Sequence, residues 1–122
     1  MKANPVSSLT AATVLAFTAT AARAADAPKK TPELVEQGKA AYAKYCTSCH
    51  GPKGEGDGPA AKALKPPPRN LVTQPMNGGP PEIFQVLSTG VKGTAMIAFK
   101  HLPENDRWAI AHYVDGLKDA KK

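Results

Sequence analysis

Leu34, Val35, Ala41, Tyr42 and Tyr45 recur at i, i+1, i+7, i+8 and i+11, a one-sided stripe that predicts an amphipathic helix. Thr31 suits its N-cap, Pro32 its first position and Glu33 its first turn, so it should run from Thr31 to about Cys46. Gly38 interrupts it at a cost in helix stability, which points to a close backbone approach by a neighbour. A second stripe, Ala109, Ile110, Tyr113, Val114 and Leu117, marks a last helix. Leu102-Pro103-Glu104 introduces it, and it should end near Gly116 or Lys118. Ile83, Phe84 and Leu87 outline a shorter helix opened by Pro81 and stopped by Gly90.

The stretches between these stripes are rich in breakers. Gly51 to Gly58 carries four glycines and one proline and reads as loop. A short helix fits Ala60 to Leu64, and Pro66-Pro67-Pro68 then forces an extended path. Pro75 to Pro81 is turn-rich, and Val91 to His101 is loop. No strand alternation, internal repeat or low-complexity segment is visible. The expected fold is all-α, about three to five short helices joined by long loops, and such loops in a compact domain usually wrap a ligand.

The N-terminus changes the picture of where the chain works. Lys2 precedes a small, apolar run from Leu9 to Ala22, broken by Thr10, Thr13, Thr18 and Thr20, and Ala22-Arg23-Ala24 is an A-x-A cleavage pattern. Residues 1–24 therefore read as an export signal, and the run is too short and threonine-rich for a good membrane span. After it come a flexible segment at 25–30, a domain at 31–118 and a tail at 119–122. The whole chain has a formal charge of +6, part of which leaves with Lys2 and Arg23. The mild basic balance suits an acidic docking partner; nucleic acid is not expected, because no dense basic run with interleaved aromatics is present.

The chemistry is concentrated in Cys46-Thr47-Ser48-Cys49-His50, which contains the chain's two cysteines. C-x-x-C-H is the pattern of a c-type haem attachment site: two thiols for thioethers and an adjacent imidazole for the iron. A thioredoxin-like dithiol wants a βαβ context, which the pattern does not offer. A zinc site needs two more ligands, and His101 and His112 lie far downstream, outside the H-x3–5-H spacing.

His50 leaves one face of the metal open. Met96, in the turn-rich Gly93-Thr94-Ala95-Met96, is the leading candidate for it, since a thioether raises the potential of a haem iron. Met76, also in a loop, and His101 and His112 are its rivals. Arg69 and Asn70 follow the proline run and could meet the haem carboxylates; the plainer reading of Arg69 is a solvated loop residue. Trp108 could lie near those carboxylates or simply fill the helix crossing. Lys53, Lys62, Lys65, Lys92 and Lys100 could form a basic rim for docking, or be ordinary solvated lysines.

On these residues the chain resembles the class I cytochromes c, small single-haem electron carriers of bacteria, over nearly all of Thr31 to Leu117. The resemblance rests on C-x-x-C-H near the start of the domain and on the placement of Met96 relative to His50. Gly38 and Tyr42 resemble the family's contact of first and last helix, and Ile110 and Tyr113 its facing pair. Gly58-Pro59-Ala60 resembles the segment whose proline carbonyl accepts a bond from Nδ1 of the haem histidine, which implies that role for Pro59. Ile97 departs from the pattern, since many members have proline after the methionine.

What the resemblance implies is a periplasmic carrier of single electrons, not an enzyme. One haem c would be bound through Cys46 and Cys49, with His50 and Met96 on the iron. The protein would act as a monomer or as a subunit of a redox complex, with redox proteins as partners. A dedicated subunit of a periplasmic oxidoreductase is the first alternative, and a haem sensor or peroxidase with an open sixth site the second.

Overall fold

In the computed structural model, which describes residues 26–121, Thr31 caps the first helix, its Oγ accepting from the Leu34 N–H at 3.2 Å. Helix α1 spans Pro32–Tyr45, with Glu33 in its first turn and Lys44 in its last, each matched to the helix dipole. A single turn, α2 (Thr47–His50), follows. Helix α3 spans Gly79–Thr89 and α4 spans Glu104–Gly116. A 3-10 turn at Ala61–Ala63 lies in the long connection, and another, Leu117–Lys121, prolongs α4 into the stretch expected to be a tail. No β-strand occurs among the described residues, so the all-α expectation holds. The expected leader, residues 1–24, lies outside the described residues.

Helix α3 starts two residues ahead of the expected Pro81. A first helical turn needs no backbone donors, so Pro80 and Pro81 both fit inside it. The Gly78 N–H donates to Glu82 Oε2 at 2.7 Å and fastens that end, while Gly90 terminates the other.

Helix α4 is the common wall of the fold. Helices α1 and α3 both pack on it and do not approach one another. The helix therefore buries Trp108, Ala109, Ile110, Ala111, His112 and Val114, almost around its circumference. Gly38 is where α1 crosses it: a Cβ there would stand 2.0 Å from the Ala109 carbonyl oxygen and 2.9 Å from Tyr113 Cβ. The close approach expected of Gly38 is thus present. One turn on, the Tyr42 and Tyr113 rings lie 5.2 Å apart at 55°. On the other side Phe84 of α3 stacks on Trp108 at 4.0 Å and 9°, with the Arg107 guanidinium 4.9 Å from the Phe84 ring.

Tyr42 also joins the helices to the glycine-rich loop. Its hydroxyl donates to the Gly51 carbonyl at 2.7 Å inside the core, and burial raises its pKa, so the donor stays protonated. Tyr42→Phe leaves that carbonyl only the longer bond from the Gly54 N–H, at 3.2 Å, and should cost about 1 kcal/mol. Denaturant unfolding checks this; a variant as stable as the parent would mean the bond contributes nothing.

Residues 26–30 carry no regular structure, yet the segment expected to be flexible is held at one point. His112 Nε2–H donates to the Pro28 carbonyl at 2.8 Å. Among the described residues no helix is long and apolar enough to cross a membrane.

Candidate functional site

The Cys46–His50 segment forms one helical turn, with the His50 N–H bonded to the Cys46 carbonyl at 2.9 Å. Residues spaced i, i+3 and i+4 share a side of such a turn, so Cys46, Cys49 and His50 face one way. All three line a cavity of about 620 Å³, within the size range of small-molecule sites. Helices α2 and α3 do not approach each other, and the cavity fills the space between them. Leu64 and Pro66 to Pro68 line it from the long connection. Ile83, Val86 and Leu87 come from α3, Ile110 and Val114 from α4, and Thr94 to Ile97 with Phe99 from the loop that follows α3. The walls are largely apolar, with Arg69, Glu82 and Thr94 among the few polar side chains.

His50 Nδ1–H donates to the Arg69 carbonyl at 3.1 Å. A carbonyl only accepts, so the proton sits on Nδ1 and the Nε2 lone pair is left for a metal. Burial lowers the His50 pKa below 6.5, with the Arg69 bond opposing the shift, so the ring is in its neutral, ligating form at neutral pH.

This corrects the role expected of Pro59. The segment around it serves the back of the motif instead: Gly58 N–H donates to the Cys49 carbonyl at 3.1 Å and Ala60 N–H to the Ser48 carbonyl at 2.9 Å. Those two bonds turn Pro59 out to solvent. The extended path set by Pro66 to Pro68 brings the Arg69 backbone to His50 in its place.

The rivals of the haem reading lose ground. Burial, with the charge of Cys49 second, pushes the Cys46 thiol up to about 12. Reactive dithiols depend on a depressed pKa, the opposite shift. Among the described residues no three His, Cys, Asp or Glu side chains gather as a metal cluster, and no βαβ unit is present.

Of the four candidates expected to compete with one another opposite His50, two reach the cavity that His50 lines. Met96 and Met76 both line the cavity with His50. His101 is exposed and does not line it. His112 lies two residues from both Ile110 and Val114, so it points from the far side of α4, where it holds Pro28. Trp108 fills the α3–α4 contact and does not line the cavity. Arg69 is exposed but lines the cavity, its Nη1 donating to the Gln74 carbonyl at 3.4 Å. Lys53, Lys62, Lys65, Lys92 and Lys100 are all exposed.

Sequence reasoning missed Tyr45 and Phe99 as cavity residues. Their rings meet edge-on at 6.4 Å where both line the cavity. Phe99 carried a signal: a large aromatic in a loop has no helix face of its own to pack with and needs something non-local.

The donor set fits a covalently held haem: two thiols and a neutral imidazole on one turn, a thioether opening onto the same apolar space. Known proteins agree. The family model described as cytochrome c oxidase, cbb3-type, subunit III matches residues 33–114. Among solved structures, a chain of the reducing HAO-like protein complex of Kuenenia stuttgartiensis is similar, with a TM-score of 0.67 and 33% sequence identity. That match covers 75% of this chain and 46% of that one, so the chain spans less than half the length of that protein. None of the curated proteins matches the chain.

Proposed function

The chain belongs to the c-type cytochrome family of the cbb3-type oxidase subunit III, and we propose that it is a periplasmic single-electron carrier whose haem iron is held by His50 and Met96. One observation carries this reading: a single helical turn presents Cys46, Cys49 and His50 to an apolar cavity that Met96 also lines. A haem bound there supplies one-electron chemistry at its iron. Cys46 and Cys49 fix its orientation, and the Arg69 carbonyl orients His50 and strengthens it as a donor. The apolar walls exclude water, and the Met96 thioether favours the reduced state, which sets a raised potential suited to carrying electrons. On this reading the protein passes electrons and makes or breaks no substrate bond. The export pattern of residues 1–24 supports the periplasmic location, and the exposed lysines support an acidic partner surface.

The optical spectrum of the periplasmic fraction tests the reading. Sharp reduced bands of a c-type haem, with the weak far-red iron–sulfur band in the ferric form, are expected. Haem bands without the sulfur band would overturn the Met96 ligand, and protein without covalent haem would overturn the whole reading.

A second reading has a specific observation behind it. The similar solved chain belongs to a redox complex, and the family model is that of an oxidase subunit. As such a subunit, the protein would elute from size exclusion with a larger oxidoreductase; as a free carrier it elutes alone.

A further inference from the structure

The loop from Gly90 to Phe99 carries Met96, and Ile97 follows it. Apart from Met96 and Phe99, which pack against the core, this loop has little packing to hold it. Ala95 and Ala98 are exposed, Val91 is 42% exposed, and Ile97 is 61% exposed. Its shape comes from hydrogen bonds that converge on Thr94. The Thr94 hydroxyl donates to the Val91 carbonyl at 2.8 Å and accepts from the Met96 N–H at 3.1 Å. The Thr94 N–H donates to the same Val91 carbonyl at 3.2 Å. The Val91 N–H returns to the Met96 carbonyl at 2.9 Å, and the Phe99 N–H fastens the far leg to the Leu87 carbonyl at 2.6 Å. The loop lies so close to the end of α3 that a Cβ on Gly90 would stand 2.8 Å from the Met96 carbonyl oxygen.

Both backbone groups of Met96 are thus tied to the short arc 91–94, and the only side chain in that arc bridging its two legs is the Thr94 hydroxyl. We propose that Thr94 is the positioning residue for Met96: its hydroxyl clips the loop shut and sets how firmly the thioether stays on the iron. Proline after the methionine would stiffen the loop through the backbone; here a side-chain clip supplies the stiffness. The inference rests on the Met96 ligand proposed above and adds to it a cause for that ligand's stability.

The test uses the haem-loaded protein. Thr94→Val keeps the branched shape and removes the hydroxyl, Thr94→Ala removes both, and Thr94→Ser restores the hydroxyl. Imidazole is titrated into the ferric protein while the far-red iron–sulfur band is followed. T94V and T94A should bind imidazole about tenfold more tightly than the parent, from the loss of two hydrogen bonds, and T94S should stay within about twofold of it. Exchange of the Met96 amide hydrogen should quicken in T94V and T94A and not in T94S. An iron–sulfur band as resistant to imidazole in T94V and T94A as in the parent would overturn the positioning role alone. A parent without that band would overturn the Met96 ligand, and this proposal with it.

Discussion

Met96→Ala should keep its haem, fixed to Cys46 and Cys49, while its reduction potential falls by roughly 0.2 V, part of the ~0.8 V that axial ligands span. On the proposed ligation the Met96 thioether favours the ferrous state, and alanine would offer the iron nothing in its place. Water or an added ligand then enters, so cyanide or imidazole should bind at concentrations that leave the parent unchanged. Met76→Ala is the matched control, because Met76 lines the same cavity. It should loosen packing and leave the potential near that of the parent. Protein-film voltammetry on the three proteins reads both effects. If Met76→Ala is the one that lowers the potential, the two methionines exchange roles.

Gly38→Val should be the most destabilising single change at the helix crossing. The new side chain would begin 2.0 Å from the Ala109 carbonyl oxygen, which belongs to backbone and cannot rotate away. Helices α1 and α4 must separate, at about 3 kcal/mol or more, which is roughly 12–24 °C in Tm for a domain of this size. The reverse exchange at an exposed site of the same helix, Ala40→Gly, should cost only about 1 kcal/mol from helix propensity. Thermal unfolding of the haem-loaded proteins separates the cases. A Gly38→Val protein that melts with the parent would mean the helices do not cross there.

Gly38 was legible in the sequence because a glycine inside a regular apolar stripe is unfavourable unless something needs the space. Helices α1, α3 and α4 were legible for similar reasons, since caps and periodicity are local, while the single turn α2 was not expected. Helix α4 was read less fully. Its stripe marks one face, yet Trp108, Ala111 and His112 are buried as well. A periodic pattern reports one apolar side, and α4 has α1, α3 and the cavity around it. The grouping of Cys46, Cys49 and His50 on one cavity was legible because their identity and spacing mark it. The partner of His50 Nδ1 was not. Any residue can offer a backbone carbonyl, so neither Pro59 nor Arg69 bears a mark of the role, and the route taken by the proline run decides it. The Thr94 clip escaped for a related reason: a threonine in a loop is ordinary until the turn that closes on it is known.

The central place of α4 also sets an order of assembly. The chain is synthesised from its N-terminus, and Cys46 and Cys49 are made well before Glu104–Gly116. Until α4 arrives, α1 has no wall to cross and the cavity has no floor from Ile110 and Val114. The burial that pushes the Cys46 thiol up to about 12 belongs to the finished fold alone. Before that burial both thiols are open to water, so on the proposed haem attachment the thioether bonds would be made first and the last helix would close over them.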